Sequence, residues 1–187
     1  MILVISAHPY PQRSRASRAL IDAVRDLPGV AVRSLYDKYP DFDIDVEAEQ
    51  TALTAARVVV WLHPIYWYSV PGLLKHWFDV VLTRGWAYGG GAAALAGKAC
   101  LWVTTTGGTS ETYTEQGVHQ RPFDAFVAPV EQTAKFCGMR WLAPLHFYGA
   151  HVISDAELAS HAALFRARLI EWQQQREGAG EGGGDVS

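Results

Sequence analysis

The chain has 187 residues, nearly half of them apolar, which suits one domain with a substantial core. Sixteen basic against nineteen acidic residues leave a formal charge of -3, which excludes a nucleic-acid binder held by counterion release and favours a small-molecule partner. Cys100 and Cys137 lack CxxC spacing and sit in apolar runs, as buried reduced thiols of a cytoplasmic protein would, so any redox chemistry requires a cofactor.

Met1 leads straight into a β-branched apolar run, Ile2 to Ser6, with no charged leader or membrane-length apolar stretch. That run predicts a strand, and Arg15 to Leu27 repeats apolar residues at helical spacing before Pro28-Gly29 stops it. Val30 to Tyr36 alternates as a second strand, Val46 to Ala56 reads as a helix, and Val58 to Leu62 as a central strand. Pro71 to Leu82 predicts a helix, Lys98 to Thr105 a fourth strand, and Phe123 to Phe136 a helix closed near Gly138. Trp141 to Val152 contains a fifth strand, and Asp155 to Gln175 is a last amphipathic helix. Strands alternating with helices imply an α/β, doubly wound parallel sheet of five strands in the order 2-1-3-4-5. Ligands of such sheets collect beyond the carboxyl ends of the strands, where the strand order reverses. One domain is expected over 1–177, and the glycine-rich acidic stretch 178–187 is expected to be a disordered tail.

The loop after the first strand reads AHPYPQRSRAS and opens into a helix without GxGxxG or a Walker lysine. A phosphate here meets helix N-terminal amides, the Ser14 and Ser17 hydroxyls and the His8 imidazole, a set suited to a phosphate monoester such as that of FMN. Ser14 as a plain helix cap explains the same spacing equally well. Arg13, Arg15 and Arg18 are placed to steer an anion, though a solvated helix face explains Arg18 equally well. After the third strand, His63-Pro64-Ile65-Tyr66-Trp67-Tyr68 sets three consecutive aromatics where one buried face cannot hold them all, which favours stacking on a flat ring system. After the fourth strand, Thr105-Thr106-Gly107-Gly108 lets backbone approach a flat ligand, and Tyr113 and His119 follow as groups able to donate to an anionic oxygen. Taken singly, a loop tyrosine or histidine is more often structural. His146, His151 and His161 lack the spacing of a zinc site, and no metal is assigned.

Together these stretches resemble the flavodoxin-fold NAD(P)H dehydrogenase (quinone) family, which includes the DT-diaphorase type of quinone reductase. MILVISAHPYP, RSLYDKYPDFDIDVEAEQ, HPIYWYSVPGLLKHWFDVVLTRGWAYG and TTGG carry the likeness, which runs from Met1 to about Gln175 and is strongest toward the ancillary flavoprotein of the glutathione-gated potassium-efflux system. The resemblance implies flavin contacts at His8, Ser14, Arg15, Ala16, Ser17, Ile65, Tyr66, Trp67, Tyr68, Thr105, Thr106, Gly107 and Gly108. It implies that Tyr113 and His119 sit beside the flavin and settle charge during hydride transfer from NAD(P)H to a quinone. FMN is expected rather than FAD, whose users in the family carry a further C-terminal segment. A homodimer is also implied, with Phe78 and Trp86 as candidate interface residues and Trp77 as interface or core. Two other readings remain: a regulatory subunit on the cytoplasmic face of a potassium-efflux transporter, and a one-electron flavodoxin carrier.

Overall fold

Apolar runs with a period of two become strands whose alternate side chains enter two separate cores. The computed structural model describes residues 1–91 and 94–180. In chain order these hold β1 (Ile2–Ser6), α1 (Arg15–Asp22), β2 (Val30–Ser34), α2 (Leu35–Lys38), α3 (Val46–Ala55), β3 (Val58–Pro64), α4 (Gly72–Val81), β4 (Ala99–Thr105) and α5 (Ala128–Phe136). A last strand in two pieces, β5 (Arg140–Trp141) and β6 (Leu145–Phe147), precedes α6 (Asp155–Gly180). Every ladder is parallel, in the order β2-β1-β3-β4-β5, with β6 also on β4. This is the doubly wound, flavodoxin-like α/β sheet that the sequence pattern predicts. Among the described residues no helix is long and apolar enough to cross a membrane.

Leu3, Ile5, Val59, Trp61, Cys100 and Trp102 belong to one core, covered by Leu53 of α3, Leu73, Leu74 and Trp77 of α4, and Val130 and Ala134 of α5. The alternate residues Ile2, Val4, Val58, Val60, Leu62, Ala99, Leu101 and Val103 belong to the other, covered by Leu20 of α1 and by Phe165 and Leu169 of α6. Trp77 is fully buried, so it is core and not an interface residue, whereas Phe78 and Trp86 are half-buried against the same cluster.

The element ends follow from the pairing. β2 stops at Ser34 because its partner β1 stops at Ser6, and Leu35 onward, expected as strand, turns into α2. β3 runs two residues beyond the expected Leu62 because β4 continues to pair with it through His63–Thr104 and Pro64–Thr105. The last strand is interrupted at Pro144, which has no N–H for the ladder. Cys100 pairs with Trp141 but Val103 with Leu145, so three residues oppose two and the strand carries a bulge. α6 extends past Gln175 to Gly180, and the rest of the expected disordered tail lies outside the described residues.

One buried polar knot ties three elements to the sheet. Glu49 of α3, fully buried, accepts hydrogen bonds from Arg33 Nε of β2 (3.0 Å), the Tyr39 hydroxyl (2.6 Å) and the Trp77 indole of α4 (3.1 Å). A buried carboxylate is tolerated only when so satisfied, and removing one member of such a group strands the others. Glu49→Ala is therefore expected to lower unfolding free energy by about 3–5 kcal/mol, read from urea denaturation at neutral pH.

Candidate active site

The chain leaves β1 toward β2 on one side, while β3 leads to β4 on the other, so a crevice opens over the carboxyl ends of β1 and β3. A cavity of about 580 Å³ occupies it. His8, Tyr10, Arg13, Ser14, Arg15 and Ala16 line it from the first loop, and Pro64, Ile65 and Tyr66 from the second. Thr105, Thr106 and Gly107 come from the third loop, and Ala150 and His151 from the segment after β6. Main-chain bonds knit these loops together: Ile65 N–H donates to the Thr105 carbonyl, Thr106 N–H to Phe147, Gly149 N–H to Gly108, and Ala150 N–H to Thr106.

The wall has two arginines, two histidines and no carboxylate among its described residues, and it includes the start of a helix. Ser14 is the helix cap, its Oγ accepting from Ser17 N–H at 3.1 Å, and this leaves its own hydroxyl proton free to donate outward. Capping and anion binding are thus one arrangement. As the first residues of α1, Arg15 and Ala16 present amides that no preceding helical turn can satisfy. The Ser17 hydroxyl, behind them, is buried with no partner. His8 accepts Tyr10 N–H at Nδ1 (3.0 Å), which puts the proton of the neutral ring on Nε2. Burial, and next the neighbouring His151, hold the His8 imidazole below its ordinary pKa, so it meets an anion as a neutral donor. The guanidinium of Arg15 is turned away, bonded to Asp155 (2.6 Å) and to the Ile153 carbonyl. Of the two wall arginines, Arg13 is the one with no ion pair among the described residues.

The aromatic loop is a tight hairpin. Tyr66 and Ser69 exchange both main-chain bonds at 3.0 Å, and the central residues Trp67 and Tyr68 take φ of 49° and 62°. Bulky side chains rarely adopt this left-handed region, which is held at a cost of about 1–3 kcal/mol per residue and clusters at functional sites. Its consequence is placement. Only Tyr66 lines the cavity; Trp67 is 93% exposed, and Tyr68 turns toward the fourth-strand loop. The amides of Ile65, Tyr66 and Ser69 are consumed within the fold, whereas those of Trp67 and Tyr68 make no main-chain hydrogen bond.

Tyr113 and His119 come together as a stacked pair, ring centroids 4.2 Å apart and 25° from parallel. Tyr113 is buried against Phe123, and this burial raises its phenol above the ordinary value, a contact with Thr106 offsetting part of the shift. Gly108 touches the pair directly: a Cβ there would lie 3.2 Å from His119 Nε2 and 3.3 Å from Tyr113 Cε2. A Cβ on Gly107 would instead meet His151 at 3.1 Å. The two adjacent glycines therefore border the cavity wall on one side and the tyrosine–histidine pair on the other. Beneath them His63, fully buried, donates from Nδ1 to the Pro64 carbonyl (2.9 Å) and accepts the Trp102 indole at Nε2 (2.6 Å). Burial drives its pKa to about 4, so it stays neutral near pH 7 and serves as a strut.

A family model described as flavodoxin-like fold matches residues 1–169. The chain belongs to this flavodoxin-like family. A solved structure described as a thermophilic tryptophan halogenase from Streptomycin violaceusniger is 39% identical, with a TM-score of 0.84 over 88% of this chain and 95% of that one. General stress protein 14 of Treponema denticola, solved in complex with FMN, is 35% identical, with a TM-score of 0.85 over 91% and 98%. An NADPH-quinone reductase from P. pentosaceus is 26% identical, with a TM-score of 0.81 over 89% and 95%. These names state different reactions on one flavodoxin-like fold.

Sequence reasoning reached nine of the fourteen wall residues as flavin contacts and noted Arg13 as an anion-steering candidate, while Ser17, Trp67, Tyr68 and Gly108 stand just outside the wall. It missed Tyr10, Pro64, Ala150 and His151. Tyr10 carried a signal, since it follows His8 by two residues, the spacing at which its amide meets the imidazole. His151 carried none locally, because its loop reaches the cavity only through the pairing of β6 with β4. The placement of His119 depends on Gly117, where a Cβ would lie 2.5 Å from the carbonyl oxygens of both Glu111 and Thr112. Gly117→Ala is expected to open the segment between Thr109 and Arg121 to faster proteolytic cleavage while the unfolding midpoint of the domain moves little.

Proposed function

We propose that the flavodoxin-like chain binds FMN across this crevice and acts as an NAD(P)H:quinone oxidoreductase. The observation that carries the reading is a carboxylate-free cavity at a helix N-terminus whose wall includes Gly107, next in the chain to the Gly108 that lies against a stacked tyrosine–histidine pair. The residues fit the group: the unpartnered Ser17 hydroxyl, the Arg15 and Ala16 amides, the outward proton of Ser14 and His8 Nε2–H supply donors for a phosphate monoester. FMN held by these residues would supply two-electron hydride chemistry between NAD(P)H and a quinone.

Tyr66 and the hairpin amides would hold the ring system, and the Gly107–Gly108 backbone would let it lie close to the loop. Tyr113 O–H and His119 would donate toward the negative charge that develops there. His63 takes no part because its nitrogens are both engaged. One place would serve NAD(P)H and quinone in turn. A groove of about 420 Å³ between α4 and α5, lined by Phe78 and the exposed Phe136 among others, supports a second copy of the chain as partner.

The purified protein is expected to be yellow and to release FMN, identified by mass. His8→Ala and Ser14→Ala should each raise the flavin dissociation constant about tenfold or more, the loss of one hydrogen bond to a charged group at roughly 1.5–3 kcal/mol. Unchanged affinity in both would place the phosphate elsewhere. Tyr113→Phe and His119→Gln should retain flavin but slow its reduction by NAD(P)H roughly 10- to 1000-fold in stopped flow. Flavin held firmly by a wild-type chain that oxidises no NAD(P)H would overturn the enzyme reading in favour of the regulatory one.

A further inference from the structure

The structure assigns Tyr68 a task distinct from cofactor contact: its hydroxyl positions His119 and fixes which ring nitrogen carries the proton. The assignment rests on the function proposed above only for its kinetic consequence. Tyr68 holds a left-handed backbone (φ 62°) at the tip of the hairpin while remaining 47% exposed, so burial of its ring does not account for the conformation. The turn delivers the side chain to one place. The Tyr68 hydroxyl lies 3.3 Å from His119 Nδ1, with its ring edge-on to the imidazole at 5.5 Å and stacked on Phe126 at 5.1 Å. Trp67, beside it on the same turn, is 93% exposed, so the hairpin spends its strained geometry on Tyr68.

The surroundings of His119 are then complete. Its main-chain N–H donates to the Thr112 carbonyl, which holds the loop, and Tyr113 stacks on its face. Nδ1 meets Tyr68, and Nε2 lies on the Gly108 side of the ring, 3.2 Å from where a Cβ would stand. A phenol hydroxyl both donates and accepts. It donates to Nδ1 of the neutral ring, leaving the proton on Nε2, and accepts from Nδ1–H of the charged ring. In either state the imidazole keeps its orientation and presents Nε2–H toward the glycine loop. Tyr68 is thus a positioning residue acting through His119, as a carboxylate or carbonyl does for other working histidines.

The test is side-chain ¹⁵N NMR of the flavin-free chain above the ordinary histidine pKa, with His119 assigned by its loss in His119→Gln. In the wild type Nε2 is expected to carry the proton and Nδ1 to resonate as a hydrogen-bonded acceptor. Tyr68→Phe keeps the ring that stacks on Phe126 and removes only the hydroxyl, so Nδ1 should move toward the free-acceptor position and the two tautomers should mix. The His63 signals, fixed by Pro64 and Trp102, report that the variant is folded and should not move. With FMN bound, Tyr68→Phe should slow flavin reduction roughly tenfold without changing KM for NAD(P)H or flavin affinity. His119 resonances identical in the two proteins would overturn the assignment, and so would a wild-type reduction rate in the variant. Failure of the chain to take up flavin would count against the proposed function alone, because the tautomer comparison needs no flavin.

Discussion

Ser6, Leu62 and Val103 stand side by side on β1, β3 and β4 because parallel hydrogen bonding admits one register in which both cores receive their apolar side chains. A slip of one residue would exchange the two faces and put each strand's core residues on the wrong side. That register also brings three chain exits to nearly one level, and the change in strand order separates the helices that would otherwise cover them. The cavity is therefore a by-product of burying Leu3 and Ile5 on one side and Val4 on the other. Its chemistry was added to loops that the sheet had already brought together.

Within the cavity the division of labour is electrostatic. Serine hydroxyls, helix-start amides and two imidazoles belong to this wall or stand beside it, and of its two arginines Arg15, on the helix, is tied to Asp155 and the Ile153 carbonyl. Neutral donors fixed by the fold need no rearrangement to receive a charge, whereas a mobile cation must be ordered first. The same economy governs the histidines. Burial keeps His63 neutral as a strut and holds the His8 pKa low, while His119 sits half-exposed beside Tyr68.

The sheet was legible in the sequence because its determinants are local: β-branched runs, a Pro28-Gly29 stop, and a serine ahead of a helix. The strand order followed from the alternation of strands and helices, since right-handed crossovers leave few alternatives. The first-strand loop was legible as a cavity wall for the same reason, being one continuous stretch opening into α1. Boundaries set by a partner were not: β2 ends where β1 ends, and β3 lengthens because β4 accompanies it. Nor was the fate of the aromatics. Three consecutive rings suggest a ligand, but only the left-handed turn at Trp67 and Tyr68 sends one to the cavity, one to solvent and one to His119. Tyr113 and His119 were each weak signals alone, and their 4.2 Å stacking depends on Gly117 folding the loop back, a long-range consequence of a missing Cβ.

The bulge at Pro144 bears on how related chains are to be compared. Because three residues there oppose two on β4, every residue from Leu145 onward faces opposite to where an uninterrupted strand would put it. Leu145 and Phe147 enter the α6-side core for that reason, and Ala150 and His151 are carried on to the crevice. A homologue shorter by one residue between Leu142 and Pro144 would lose the bulge yet still set the counterpart of Leu145 opposite that of Val103, so the same side chains would reach this wall. What such a deletion removes is the local kink and not the side chains beyond it, so the gap in an alignment belongs at the bulge, with His151 matched to its own counterpart.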